Sequence, residues 1–289
     1  MLTLFTDTDT DVTPKVAAEY GYRLISMPFS VDGKTTYPYQ DSDTFDFHAF
    51  YDSLRAGVLP TTSAISEETY INYFEPEFAA GNDILYVHFS AAMTVTFDAM
   101  DTAVKALLAK YPERKFHSID TKGITIVSYA IVREIGDMIK AGKTAEEVVE
   151  WSKTEVNKFS QYFFADDLKF FRRSGRVSGL AATMGGLIGL RPIIHMSADG
   201  KMESIGTEKG RVKAMEKLVK YVEEFGEDIK SHRIIMGHTD ALPLAEQVAD
   251  MLRAKFGADL NIEFVCTNPT AGSHCGPNGV GVCFHSKHR

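Results

Sequence analysis

Short apolar runs alternate with amphipathic stretches through the first half of the chain. Met1–Phe5 is an apolar run of strand length, and Pro14 with the Ala-rich KVAAEYG reads as a helix closed by Gly21. A second extended run covers Tyr22–Val31 and ends at the turn signal Asp32-Gly33. Phe47, Phe50, Tyr51 and Leu54 recur at helical spacing, as do Phe97, Met100, Val104, Leu107, Leu108 and Tyr111. Between those helices DILYVHFS (83–90) is an apolar run that enters a polar turn, and KFHSID (115–120) repeats that arrangement. Ile124, Val127, Ile131, Ile135 and Met138 mark a further helix. Strands alternating with helices in this way predict a parallel sheet covered on both faces.

The pattern changes near residue 155. SQYFFADDL and RPIIHMSADGKMESIG read as strands, the second a hairpin turning at Asp199-Gly200. A helix over 208–225 follows, then strand RIIMGH, helix LAEQVADMLRAKFG, strand NIEFVC, a Gly-rich loop and a last strand GVGVCF. The expectation is an α/β protein of two domains: a three-layer, parallel-sheet domain over 1–155 and a mixed-sheet α/β domain over 156–289.

Composition narrows the function classes. Hydrophobic residues at 44% and charged residues at 24% are globular values. With a net charge of −8 and no long basic stretch, nucleic acid and anionic membrane surfaces are poor partners. No run of eighteen apolar residues appears, so no stable membrane insertion is expected, and the N-terminus lacks a signal-peptide pattern. Three cysteines, Cys266, Cys275 and Cys283, match no zinc spacing, and an odd count fits a reduced, cytoplasmic protein.

Two motifs fail on inspection. TDTDTDVTPKVA (6–17) places aspartates on alternate positions, but counted from Asp7 a calcium loop would need Gly where Val12 stands and Glu where Ala18 stands. No metal is expected there. Thr and Asp before Pro14 are good N-cap chemistry, and the loop sits at the C-terminal end of the first strand, where open α/β sheets place ligands. GDMIKAGKT (136–144) has five residues between its glycines where a phosphate-binding loop has four, and a helix precedes it in place of a strand. Gly142 is read as a helix C-cap and Lys143 as solvated.

Four polar stretches each carry more than one reading. LPTTSAISEE (59–68) sets Thr61, Thr62 and Ser63 ahead of a helix start; they bind a ligand, or Ser66 with Glu68 simply caps the helix. Ser90 ends a buried strand among small residues, again as ligand contact or N-cap. His274 is bracketed by Gly272 and Gly276-Pro277 in a loop between strands; it is a surface residue, or a hydrogen-bond donor to a ligand, which a Gly-bracketed histidine among small residues suits. DDLKFFRRSGRVSGLAATMGGLIGLRPII (166–194) joins Lys169, Arg172, Arg173 and Arg176 to an apolar Gly-rich, helix-like run. The cations form a solvated face, a docking surface, or a clamp for carboxylate or phosphate.

Taken together, in order and spacing, these motifs resemble the DegV family of bacterial fatty-acid-binding proteins over nearly the whole chain. Thr6, Asp7 and Thr8 match its Thr-Asp-Ser loop, and Thr62 through Ser66 its Thr-Ser-Gln-Pro-Ser stretch. Ser90 through Phe97 align with its Ser-Ser-Gly-Leu-Ser-Gly-Thr-Tyr turn, with Ala91, Thr94 and Val95 as departures. Ile119, Asp120 and Thr121 match an Ile-Asp-Ser strand end, and Phe171–Val177 its Leu-x-x-Gly-Gly-Arg-Ile run, with Ser174 for the first Gly. LIGLRPII and GSHCGPNGVGV resemble its last two signatures.

The resemblance implies a long-chain fatty acid held in a tunnel between the two domains, with no other cofactor. Its carboxylate-binding residues would be Thr62, Ser63, Ser90 and His274. Arg176, with Arg173, would meet a partner or the developing phosphate, and Asp7 would organise the first loop without a metal. The implied role is the lipid-carrying subunit of a fatty acid kinase, its bound carboxylate phosphorylated by a separate ATP-dependent kinase subunit. Two alternatives stand beside it. One is an enzyme acting on a small carboxylate or phosphorylated metabolite in the cleft, with His274 as general base. The other is an interaction module docking through Arg172, Arg173 and Arg176.

Overall fold

The computed structural model describes residues 1–179 and 189–289. The greater part of the Gly-rich run expected to be helix-like, 180–188, lies outside them.

Strands β1 (Leu2–Asp7), β2 (Tyr22–Ile25), β6 (Asp83–His88) and β7 (Phe116–Asp120) form an all-parallel sheet in the order β2-β1-β6-β7. Its central strand β6, DILYVH, is a nearly continuous buried run, as expected of a parallel strand covered on both faces. Helix α1 (Pro14–Tyr20) packs on α5 (Ile126–Lys140), and α3 (Glu67–Ala79) packs on α4 (Thr96–Lys110). Thr13 caps α1, Ser66 caps α3, and Thr144 with Glu147 forms a capping box at α6 (Ala145–Glu155). Gly142, at φ 88°, closes α5, and Lys143 pairs with Glu147 at 2.8 Å on the surface.

The second sheet is mixed. Its strands are β8 (Phe159–Phe164), β9 (Val177–Ser178), β10 (Leu190–Met196), β11 (Met202–Lys209), β12 (Ile234–His238), β13 (Ile262–Cys266) and β14 (Val280–His285). They run in the order β13-β12-β14-β8-β10-β11-β9. Helices α8 (Gly210–Phe225) and α9 (Leu242–Phe256) cover one face through Leu218, Val222, Val248 and Leu252. The other face meets α5, so one apolar core runs from Phe5 and Leu85 through Ile131 to Phe159, Ile194 and Ile235. The α/β architecture, with a parallel N-terminal and a mixed C-terminal sheet, is the expected one. No helix among the described residues is long and apolar enough to cross a membrane.

Two local expectations are corrected. The extended run 22–31 breaks after Ile25, where Met27 N–H donates to Thr8 Oγ1 at 2.9 Å and Pro28 has no N–H to give a ladder. The chain resumes as β3 (Phe29–Val31), turns at Asp32-Gly33, and pairs with β4 (Lys34–Thr36) and β5 (Thr61–Thr62) in a small antiparallel sheet. The Gly-rich loop expected after β13 begins as a two-turn helix, α10 (Pro269–Cys275). His274 therefore sits in the last turn of a helix, not in a loop.

Candidate functional site

Three segments distant in sequence are tied together by buried polar contacts. Asp11, with φ 60°, turns its carboxylate so that Oδ1 accepts from both the backbone N–H and Nδ2 of Asn268, each at 2.8 Å. Asn268 in turn caps α10, accepting from Ala271 N–H at 2.9 Å, and Pro269 follows at the first helical position. Thr270 donates its hydroxyl to Met27 O at 2.8 Å, and Tyr51 donates to Thr267 O at 2.8 Å. A Cβ on Gly272 would lie 2.4 Å from the Tyr51 hydroxyl, and one on Gly276 would lie 2.3 Å from the Phe170 ring. The glycines that bracket His274 are thus places of close approach, and Gly276 also holds φ +72°.

That packing aims His274 at β5, where Thr62 Oγ1 and His274 Nε2 lie 2.9 Å apart. Both residues line a cavity of about 660 Å³ between the two sheets. Phe89, Ile126, Phe163, Phe164, Phe171 and Met202 supply apolar wall from both halves of the chain. Ser63, Ala92, Met93, Thr94, Val95, Arg176 and Lys201 also border it, and Val95 is 71% exposed, which puts it at the rim. A volume in this range takes a sizeable small molecule, and its apolar wall favours a ligand with a large apolar part.

The expected site residues separate into groups. Thr62, Ser63, His274 and Arg176 come together on the cavity wall. Ser90 does not join them. It is fully buried, its Oγ donates to Gly200 O at 2.7 Å, accepts from Ala92 N–H at 3.2 Å, and it does not border the cavity. Ser90 fastens the end of β6 to the β10–β11 turn. Ala91 is exposed, with its N–H on Asp120 Oδ2 at 3.3 Å. Arg173 is exposed on α7 (Lys169–Ser174) and off the cavity wall, whereas Arg176 follows the Gly175 C-cap and donates to Ser174 O at 2.5 Å. The nearby acids are engaged by other cations: Asp166 by Arg191 and Arg211, Asp167 by Lys169.

Asp7 is buried in the first loop. Its Oδ2 accepts from Tyr86 OH at 3.0 Å and Phe89 N–H at 3.2 Å, and its carbonyl accepts from Thr10 Oγ1 at 2.6 Å. The sequence reading missed Asp9 and Asp11 as individuals, because alternation in TDTDTD does not say which carboxylate meets which partner. Asp9 borders the cavity; Asp11 anchors α10. Thr125, also on the wall, holds φ 58°, a strained value for a β-branched residue, and donates its N–H to Asp9 O at 2.8 Å.

Burial sets the electrostatics. Desolvation, helped by the charges of Arg176 and Arg173, pushes His274 down to about 4, so it is a neutral imidazole at ordinary pH. Desolvation lifts Asp7 and Asp11 to about 7 against hydrogen bonds that oppose it. Asp9 is driven well up by burial and then by the charges of Asp7 and Asp11. Among the described residues one metal-type cluster occurs, His48, Asp52 and Asp240. It lies outside the cavity, and Arg55 already takes its carboxylates at 2.7 and 2.6 Å.

An open parallel sheet facing a mixed sheet across an apolar cavity, with hydroxyl and imidazole groups on its wall, defines a two-domain α/β protein with an internal cavity. The chain belongs to the DegV family: the family model, described as that of an uncharacterised protein of the DegV family, matches residues 1–287. A DegV domain-containing protein of Clostridium perfringens is 28% identical over 282 residues, covering 97% of this chain and 96% of its own. A DegV family protein from Thermus thermophilus, whose structure concerns fatty acid binding, superposes with a TM-score of 0.84 at 21% identity, covering 99% of both chains. One from Eubacterium eligens, loaded with heptadecanoic acid, gives a TM-score of 0.84 at 20% identity, covering 99% of this chain and 100% of its own.

Proposed function

We propose that the chain is a carrier of one long-chain fatty acid, held with its tail in the cavity and its carboxylate at Thr62, Ser63 and His274. The observation that carries this reading is the Thr62–His274 contact at 2.9 Å on the wall of an otherwise largely apolar, 660 Å³ cavity. Burying a tail at about 0.8 kcal/mol per methylene gives on the order of 10 kcal/mol, so the head group need not supply most of the affinity. A neutral imidazole and two hydroxyls orient a carboxylate without locking it in an ion pair, which leaves it usable as a nucleophile. Arg176 is exposed at the cavity wall, and in this reading it meets the carboxylate end or an arriving phosphate.

The same reading makes the protein the lipid-presenting half of a fatty acid kinase, with ATP bound by a separate subunit that docks near Arg176 and Arg173. The two structural units divide after residue 155, and the protein is cytoplasmic. The enzyme alternative asks His274 to act as a general base near neutral pH, and a histidine pushed to about 4 is poorly matched to that task. Solvent extraction of the purified protein followed by mass spectrometry tests the carrier reading. Recovery of a stoichiometric fatty acid is expected. No extracted acid, and none bound on addition to the stripped protein, would end it.

A further inference from the structure

Asp9 borders the cavity and is 5% exposed, and its Oδ1 is buried with no hydrogen-bond partner. Its two sister carboxyls in the same loop are each engaged through one oxygen, Asp7 Oδ2 by Tyr86 and Phe89 and Asp11 Oδ1 by Asn268, with the other oxygen buried and unpartnered, whereas Asp9 is engaged through neither. Among the described residues no group donates to the Asp9 carboxyl. Buried polar groups are normally satisfied, so a carboxyl set into an apolar wall and left over from the protein's own network is a group waiting for a ligand atom. Its neighbours are over-determined: the Asp9 carbonyl accepts from Thr125 N–H at 2.8 Å, and Thr125 Oγ1 accepts from Gln161 Nε2 at 3.3 Å.

His274 lies in the last turn of α10, and Asp9 in the loop after β1. The loop it belongs to is pinned through Asp11 to Asn268 at the start of α10, and His274 lies six residues further along that helix. At 1.5 Å per residue the two ends are roughly 9 Å apart. On the fatty-acid reading, a chain anchored at His274 and running toward the Asn268 end of α10 would offer Asp9 carbons from further along its tail.

We propose that Asp9 is a specificity-determining residue that selects an acyl chain bearing a hydroxyl group part-way along its length. The inference rests on the fatty-acid reading of the cavity. Burial, and then the charges of the two flanking aspartates, push the Asp9 carboxyl well up, toward its uncharged form. An uncharged carboxyl offers one O–H donor and an acceptor oxygen, the complement of an alcohol that both accepts and donates. An unsubstituted chain leaves that carboxyl unmatched, whereas a hydroxyl at the right carbon satisfies both groups together.

The test is a binding titration of lipid-stripped protein with octadecanoate and with its 9-, 10- and 12-hydroxy derivatives. The expected result is that at least one hydroxy isomer binds roughly three- to tenfold tighter than octadecanoate, the gain of one well-made buried hydrogen bond. Asp9→Leu should bring that ratio to one or below, and Asp9→Asn, which still donates and accepts, should keep a preference. If octadecanoate binds and no hydroxy isomer binds tighter, or if the preference survives Asp9→Leu, this proposal is overturned while the carrier reading stands. If none of the four acids binds, both fall. The wild-type comparison decides the matter even if the leucine variant fails to fold.

Discussion

Asp7 and Asp11 contribute to the pH dependence of stability in the sense opposite to His274. Asp7 and Asp11 sit at about 7 in the folded protein against 3.8 unfolded. Between those values the native state holds more protons, so their contribution to stability is complete below the unfolded value and is lost as pH rises through about 7. His274, at about 4 folded against 6.5 unfolded, does the reverse: its contribution is present above 6.5 and is lost as pH falls toward 4. Thermal melts from pH 4 to 7 should therefore show a steeper loss of stability with rising pH in His274→Gln than in wild type. They should show a shallower one in Asp7→Asn; unchanged slopes in both would contradict these assignments. His274→Ala should weaken fatty acid binding by less than about tenfold, one hydrogen bond's worth, because the tail carries the affinity. With a kinase subunit present it should reduce phosphorylation of the bound acid further, and equal loss of both would contradict a positioning role. At this scale the placing of Thr62, Ser63 and His274 on the cavity wall was legible because hydroxyls and a Gly-bracketed histidine stand out against apolar runs. Asp9 and Asp11 were not, since three identical residues on alternate positions carry no mark of which wall each will face.

The elements show why some segments read correctly and others did not. β1, β6 and α5 announce themselves through long apolar periodicity, and the Asp32-Gly33 and Asp199-Gly200 turns through their dipeptides. Helix α10 does not, because seven residues with a proline, a glycine and a following glycine have poor intrinsic propensity. It forms because Asn268 caps it and tertiary contacts hold it in place: Asp11 fixes Asn268, Tyr51 donates to Thr267 O just ahead of the helix, Thr270 donates to Met27 O, and Gly272 allows Tyr51 to approach. Gly272→Ala should accordingly cost on the order of 1–3 kcal/mol of stability through overpacking, measured by denaturant unfolding. Ser90 illustrates the converse: a strand-end serine looks the same in sequence whether it faces a ligand or a neighbouring turn. Ser90→Ala leaves the buried Gly200 carbonyl without its donor and should cost about 1–3 kcal/mol. Fatty acid affinity should then stay within about twofold, and a larger loss of affinity than of stability would return Ser90 to the head-group set.

At the scale of the molecule, the change from strict strand–helix alternation to mixed strands near residue 155 is what made two kinds of sheet legible. What no local pattern shows is that α5 serves both, lying on the parallel sheet's side of the core while Ile131 and Ile135 share it with Phe159, Ile194 and Ile235. The cavity is a product of that shared core, drawing wall from residues as distant in sequence as Phe89 and Met202. Mass spectrometry of the intact protein under native conditions, before and after solvent stripping, tests the carrier claim most directly. The account predicts a mass increment equal to one long-chain fatty acid per chain, lost on stripping and restored by adding the free acid. A chain that carries no such increment, and gains none when a range of long-chain acids is supplied, would contradict it.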